Sequence, residues 1–308
     1  MAKILVTGAA GFIGSHTTDR LLADGHTVLG VDNFRTGHRR NLTAALESPA
    51  FGLREADVAE AGVVDALVAE FRPDAIIHLA ALVSVQESIQ NPALNRRLNL
   101  TATELVADAA AAHGVKRVVF ASSAAIYGDT TNLPIREETT PKPISPYGEA
   151  KLASEGILLG RAGLTVRCHR YFNVFGPRQD PASPYSGVIS IFERRYREGK
   201  GVTIYGDGQQ TRDFISVHDV ARANAIAATG PGIASGVANI CTGRPTSLRE
   251  VVGIFALHYP AAPAPQFAPG RPGDIIHSLG RPDRAKAEIG FVAQVPVAEG
   301  LAELIRVG

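Results

Sequence analysis

The chain has 308 residues, 45% hydrophobic and 20% charged, with a formal net charge of +1. That is the make-up of a globular enzyme large enough for one broad domain or two fused lobes. The near-neutral balance argues against a nucleic-acid or anionic-membrane partner. Two cysteines, Cys168 and Cys241, without CxxC spacing argue against a disulfide framework or a zinc site.

In chain order, Met1-Ala2-Lys3 leads into an apolar strand over 4–7, too short for the core of a signal peptide. No apolar run approaches the ~18 residues of a membrane span, so a cytoplasmic protein is expected. The strand ends in Gly8-Ala9-Ala10-Gly11-Phe12-Ile13-Gly14, which opens a helix over 14–23. Glycines at such a turn let the backbone approach a pyrophosphate, and the helix start offers free N–H groups to it. A second strand, 27–32, ends on Asp32, with Asn33 next. A carboxylate there accepts bonds from a ribose diol and repels a 2′-phosphate, which favours NAD over NADP; Arg35 close by softens that preference.

Further strands are expected over 52–55, 75–78, 117–121 and 165–170, with helices over 63–70 and 102–113 between them. Strands spaced by helices imply βαβ units and a parallel sheet. The expected fold is therefore α/β: a Rossmann-type doubly wound parallel sheet with a smaller α/β C-terminal substrate-binding lobe. Residues 1–171 would form the dinucleotide-binding part, with returns from about 213–243, one of them a strand at 238–240. Residues 172–308 would form mainly the second lobe, irregular over the proline-bearing stretches 176–186 and 261–273.

Tyr147-Gly148-Glu149-Ala150-Lys151 places a phenol and an ammonium four residues apart, on one face of a helix that Ser145-Pro146 would start. A lysine charge roughly 6 Å from the phenol, at an effective dielectric of about 20, favours the phenolate by roughly 3 kcal/mol, or about two pKa units. The phenol then becomes a base near neutral pH. Ser123, just beyond the 117–121 strand, supplies a hydroxyl at the carboxyl edge of the sheet, where open sheets bind ligands. The nine histidines show no metal-ligand spacing and no metal is expected; His218-Asp219 reads as a structural pair.

The glycine turn, Ser123 and Tyr147/Lys151 together resemble the extended short-chain dehydrogenase/reductase family. Other segments resemble its UDP-galactose (UDP-glucose) 4-epimerase branch, in order along the chain: His78-Leu79-Ala80-Ala81, Ser122–Gly128, Ser145–Gly148, Arg170–Pro177, Tyr205–Gly208, Thr211–Ile215 and Arg271–Asp274. The resemblance implies that Tyr147 is the base toward a sugar 4-OH, that Ser123 binds the same oxygen, and that Lys151 binds the nicotinamide ribose. It places Gly8, Gly11, Phe12, Ile13 and Gly14 on the pyrophosphate, Asp57 and Val58 beside the adenine, and Asp32, Asn33, Leu79, Ala80, Ala81 and Asn99 in the same cofactor-binding set, Asn99 behind the active site. It gives Asn173, Arg212 and Arg271 to the sugar diphosphate and Asp274 to the nucleotide ribose, with Val188 and Tyr205 in the same substrate set. Ser278 falls at a pocket-wall position where a small side chain leaves room for an N-acetyl group.

The implied activity is NAD-dependent inversion at C4 of a UDP-hexose, UDP-glucose/UDP-galactose and also their N-acetyl forms, by a homodimer paired through helices over 94–112 and 146–159. The alternatives are another nucleotide-sugar enzyme of the family, such as a UDP-uronate or dTDP-sugar epimerase, or a non-catalytic NAD-binding regulator. Related 4,6-dehydratases carry an Asp-Glu pair directly after the position of Ser123. This chain has Ala124-Ala125, whose methyl groups transfer no protons.

Overall fold

The computed structural model describes residues 1–180, 187–270 and 275–307. Six strands run in parallel through the first half: β1 (Lys3–Thr7), β2 (Thr27–Asp32), β3 (Phe51–Glu55), β4 (Ala75–His78), β5 (Arg117–Ser123) and β6 (Thr165–Tyr171). The short β7 (Asn173–Phe175), β8 (Thr203–Tyr205), β9 (Thr211–Arg212) and β10 (Phe214–Ser216) follow. β11 (Gly236–Ile240) then returns to pair with β6, before β12 (Thr246–Ser247) and β13 (Gln266–Ala268). The seven-stranded sheet runs β11-β6-β5-β4-β1-β2-β3. The doubly wound Rossmann-type order expected from the strand–helix alternation is thus the one observed. The order reverses between β1 and β4, which opens a crevice at the carboxyl ends of those strands.

The helices before β6 are α1 (Phe12–Ala23), α2 (Thr43–Leu46), α3 (Val63–Phe71), α4 (Val85–Gln90), α5 (Pro92–Asn95), α6 (Ala102–Ala112) and α7 (Pro146–Leu159). After it come α8 (Val188–Arg197), α9 (Val217–Thr229), α10 (Leu248–His258), α11 (Asp283–Ile289) and α12 (Val297–Val307). Strand residues alternate between the two covered faces. Leu5, Ile76 and Val118 pack with Val106 and Ala110 of α6, while Ile4, Val6, Ile77 and Val119 pack with Ala225 and Ala228 of α9. A second core gathers Phe175, Phe192, Phe214, Phe255 and Leu301 beneath the paired strands β7–β10 and β8–β13.

The structure refines two expectations. The stretch read as a helix over 94–112 is helical throughout, but Arg96–Thr101 form a π-helical turn between α5 and α6. Asn99, inside that turn, bonds the Leu82 N–H and carbonyl at 3.0 Å each, tertiary bonds that a helical pattern does not reveal. His218 and Asp219 do not pair. His218 meets Glu303 at 3.0 Å, and Asp219 binds Arg222 and the N–H groups of Gln294 and Val295. Both cysteines are buried and free. Among the described residues no helix is long and apolar enough to cross a membrane.

Candidate active site

The glycine turn is built by close approach. Gly8 sits at φ +70°, and a Cβ on it would lie 2.8 Å from the Ala80 nitrogen. A Cβ on Gly14 would lie 1.9 Å from the Gly8 carbonyl oxygen. Only glycine lets α1 start this near β1. Gly11 caps α1 with no side-chain bond, so the first-turn N–H groups face outward as free donors at the positive end of the helix dipole. A bare, side-chain-free cradle of donors fits the pyrophosphate of a dinucleotide.

The turn opens into a crevice of about 830 Å³. Gly8, Gly11, Phe12, Ile13 and Gly14 line it, with Asp32 at the end of β2 and Asn33 next to it, Asp57 and Val58 after β3, and Leu79, Ala80 and Ala81 after β4. Ser123, Tyr147 and Lys151 line the same crevice. Asn99 does not. It is buried behind the wall, where it ties the Leu82 backbone to Asn95, and its carbonyl accepts from Ser154 of α7 at 3.2 Å.

Asp32 accepts from the N–H groups of Ala10 (2.9 Å) and Phe34 (2.8 Å). Burial pushes its pKa up, and these bonds only partly offset that. Asp57 is held below the usual carboxylate range: burial opposes the charge, but the Ala59 N–H and the Arg97 guanidinium at 2.6 Å outweigh it.

Ser145 caps α7 by accepting from the Gly148 N–H, and Pro146 occupies the first turn, which fixes Tyr147 at the helix start. The Tyr147 N–H is also held by the Ser88 hydroxyl at 3.2 Å. Ser123 ends β5, and its hydroxyl accepts from the Ala125 N–H at 3.1 Å; it lines the crevice together with Tyr147. Lys151 is 3% exposed; its Nζ donates to the Ala121 carbonyl at 2.8 Å and lies 5.9 Å from the centre of the Tyr147 ring.

The electrostatics differ from the sequence expectation. The Lys151 nitrogen is 5.9 Å from the ring centre, yet burial raises the Tyr147 pKa, with only Ser123 opposing. Burial also pulls Lys151 down to about 7, against the pull of Glu155 upward. A Coulomb term between two groups omits the cost of taking both out of water, and on this dry wall that cost is the larger one. In the protein alone, burial therefore works against the phenolate.

Glu155 is the residue that sequence reasoning missed. It lies four residues beyond Lys151 and is 3% exposed. Its carboxylate takes both forks of Arg170 (2.9 and 2.7 Å) and the Ser122 hydroxyl (2.5 Å). The helical spacing to Lys151 was a signal for its face, but the partner on β6 was not readable.

The substrate set lies elsewhere. Phe172 and Val174 line the crevice while Asn173, between them, is exposed and outside it, as period-two alternation requires. Arg212 donates to the carbonyls of Thr211 (2.9 Å) and Ile276 (3.3 Å), and the Ser278 N–H donates to Thr211 (3.1 Å), so these two share one edge of the second lobe. Tyr205 is 38% exposed at the end of β8, and Val188 starts α8 against the second core. None of these five lines the crevice. Arg271 and Asp274 lie outside the described residues. Among the described residues no cluster of histidine, cysteine or acidic side chains could hold a metal ion.

The NAD dependent epimerase/dehydratase family profile matches residues 4–241. A Mycolicibacterium smegmatis protein named UDP-glucose 4-epimerase is 40% identical over 307 residues, covering 98% of this chain and 97% of its own. The fold is similar to that of UDP-N-acetylglucosamine 4-epimerase from Methanobrevibacter ruminantium in complex with UDP-N-acetylmuramic acid (TM-score 0.93, 34% identity, 99% and 97% coverage). It is also similar to Thermus thermophilus UDP-glucose 4-epimerase in complex with NAD (TM-score 0.87, 36% identity, 99% and 98% coverage).

Proposed function

The chain belongs to the NAD dependent epimerase/dehydratase family, and from that premise we propose that it inverts C4 of a UDP-hexose through a transient 4-keto sugar. UDP-glucose and UDP-galactose are the pair interconverted. The observation that carries this reading is the convergence of Ser123, Tyr147 and Lys151 on the crevice that also holds the glycine turn, with the Lys151 nitrogen 5.9 Å from the centre of the Tyr147 ring. Bound NAD supplies a hydride acceptor and donor for C4, and its oxidised ring brings a positive charge.

Tyr147 takes the proton of the 4-OH and Ser123 holds the same oxygen. Lys151 binds the nicotinamide ribose and, when charged, favours the phenolate. Ala124 and Ala125 offer no acid or base, so elimination of water has no proton carrier at those positions. Inversion leaves no net redox change, and the cofactor need not leave. The free α1 N–H groups hold the pyrophosphate, and Asp32 accepts from the adenosine ribose.

In this reading residues 1–171, with 213–243, hold NAD, and 172–308 hold mainly the nucleotide sugar. Asn173, Arg212 and Arg271 bind its diphosphate; Asp274 binds its ribose; Val188 and Tyr205 flank the nucleotide. The small Ser278 leaves room for an N-acetyl group, and similarity to a UDP-N-acetylglucosamine 4-epimerase supports that wider range. A cytoplasmic homodimer paired through α6 and α7 belongs to the same reading.

The test is to incubate the purified protein with UDP-glucose, UDP-galactose and their N-acetyl forms and to resolve the products by chromatography while following absorbance at 340 nm. Interconversion at constant absorbance is expected. A steady absorbance change, or no 4-epimer from any of the four, would overturn the assignment.

A further inference from the structure

Beyond Asp32 the chain runs through Arg35, His38 and Arg39. A guanidinium at this point of a dinucleotide fold is the group that accommodates a ribose 2′-phosphate. In this protein each of these bases meets an acid from a different part of the chain. Arg35 forms a direct ion pair with Glu87 of α4, His38 faces Asp180 at 3.5 Å, and Arg39 reaches Glu55 of β3 at 3.4 Å.

The Arg39–Glu55 pair is open to solvent, with side chains 61% and 66% exposed, and it does not line the crevice. Arg35 and Glu87 do, on the same crevice as Asp32 and from walls 52 residues apart in sequence. Their side chains are 36% and 21% exposed, so the pair is partly withdrawn from water.

We infer that Glu87 is a cofactor-specificity determinant: by holding the Arg35 guanidinium against α4, it keeps that charge from a 2′-phosphate at the Asp32 end of the crevice. Asp32 supplies the repulsion and Glu87 removes the attraction that would compensate it. Arginine is the side chain suited to bidentate phosphate binding, so its engagement decides more than its presence. The inference rests on the crevice holding NAD.

Glu87 can be changed without unravelling α4. The Ser84 cap takes the backbone N–H of Glu87 at 2.8 Å, not its carboxylate, and glutamine keeps the side-chain shape. Wild-type holoenzyme, E87Q and the double variant R35S/E87Q are equilibrated with equal NAD and NADP, desalted and denatured, and the released dinucleotides are quantified by chromatography. The wild type should retain NAD in large excess. E87Q should raise the NADP:NAD ratio by about tenfold or more, and R35S/E87Q should return it to within about twofold of wild type. An E87Q ratio within about twofold of wild type, or a double variant that keeps the gain, would overturn the inference. No retained dinucleotide in any preparation, wild type included, would overturn the NAD assignment itself.

Discussion

Replacing Glu155 by glutamine separates what a buried ion pair does for stability from what it does for a neighbouring lysine. Glu155 and Arg170 are 3% and 5% exposed, and the carboxylate meets the guanidinium at two points and the Ser122 hydroxyl at a third. Glutamine keeps the size but leaves a buried cation without its counter-charge, a change that costs about 3–5 kcal/mol. At about 2–4 °C per kcal/mol for a chain approaching this size, the midpoint of thermal unfolding should fall by roughly 10 °C.

The second effect concerns Lys151, whose pKa of about 7 already includes the upward pull of Glu155. Loss of that pull lowers it further, so the charged lysine, and any step that needs it, disappears at a lower pH. The high-pH limb of kcat should move to lower pH in Glu155→Gln. The double variant Glu155→Leu/Arg170→Met removes both charges and should regain most of the lost stability, because no ion is left unpaired. It should not restore the limb. Calorimetry and a pH–rate profile on the same three proteins check both halves. A single variant within about 1 kcal/mol of wild type, or a double variant as unstable as the single one, would refute the reasoning.

Tyr147→Phe should lower kcat by about two to four orders of magnitude, the usual yield of a positioned acid–base group, while the amount of NAD carried through purification stays unchanged. Gly14→Ala drives a methyl group to 1.9 Å from the Gly8 carbonyl oxygen; the turn must open, and dinucleotide retention after desalting should collapse. His16, His78 and His169 are buried with pKa values lowered to about 4, 3 and 4 by desolvation. Each is neutral in the folded protein while the unfolded chain takes up a proton below about 6.5. The unfolded state therefore binds more protons there, and stability present above pH 6.5 is lost as pH falls, by roughly 3 kcal/mol per histidine at pH 4. Denaturant unfolding at pH 7, 5.5 and 4.5 should show this as a falling midpoint; a flat midpoint would contradict it.

The dinucleotide half was readable because its signals are local. Continuous apolar runs such as Val118-Val119-Phe120 mark strands covered on both faces, and a glycine turn between strand and helix has few other uses. Ser145-Pro146 announced the start of α7, and Tyr147 and Lys151 followed from helical spacing. The failures share one cause, which is that they depend on partners distant in the chain. The lysine charge was placed correctly but its desolvation was invisible. The Glu155–Arg170 pair joins a helix to a strand, and the Arg35–Glu87 pair joins the segment after β2 to α4. The π-helical turn at Arg96–Thr101 carries Asn99, whose partner Leu82 lies outside the helix.

The return of β11 to the edge of β6 means that the Rossmann unit has no contiguous gene segment. A fragment stopped at residue 171 would leave the ladder of β6 open to other chains. It would also lack the alanine face of α9 that covers Ile4, Val6 and Val119. During synthesis the nascent sheet stays unfinished until residue 240 has left the ribosome. Excision of the seven-stranded sheet as a unit of its own would require rejoining α9 and β11 to the first half by circular permutation or a designed linker.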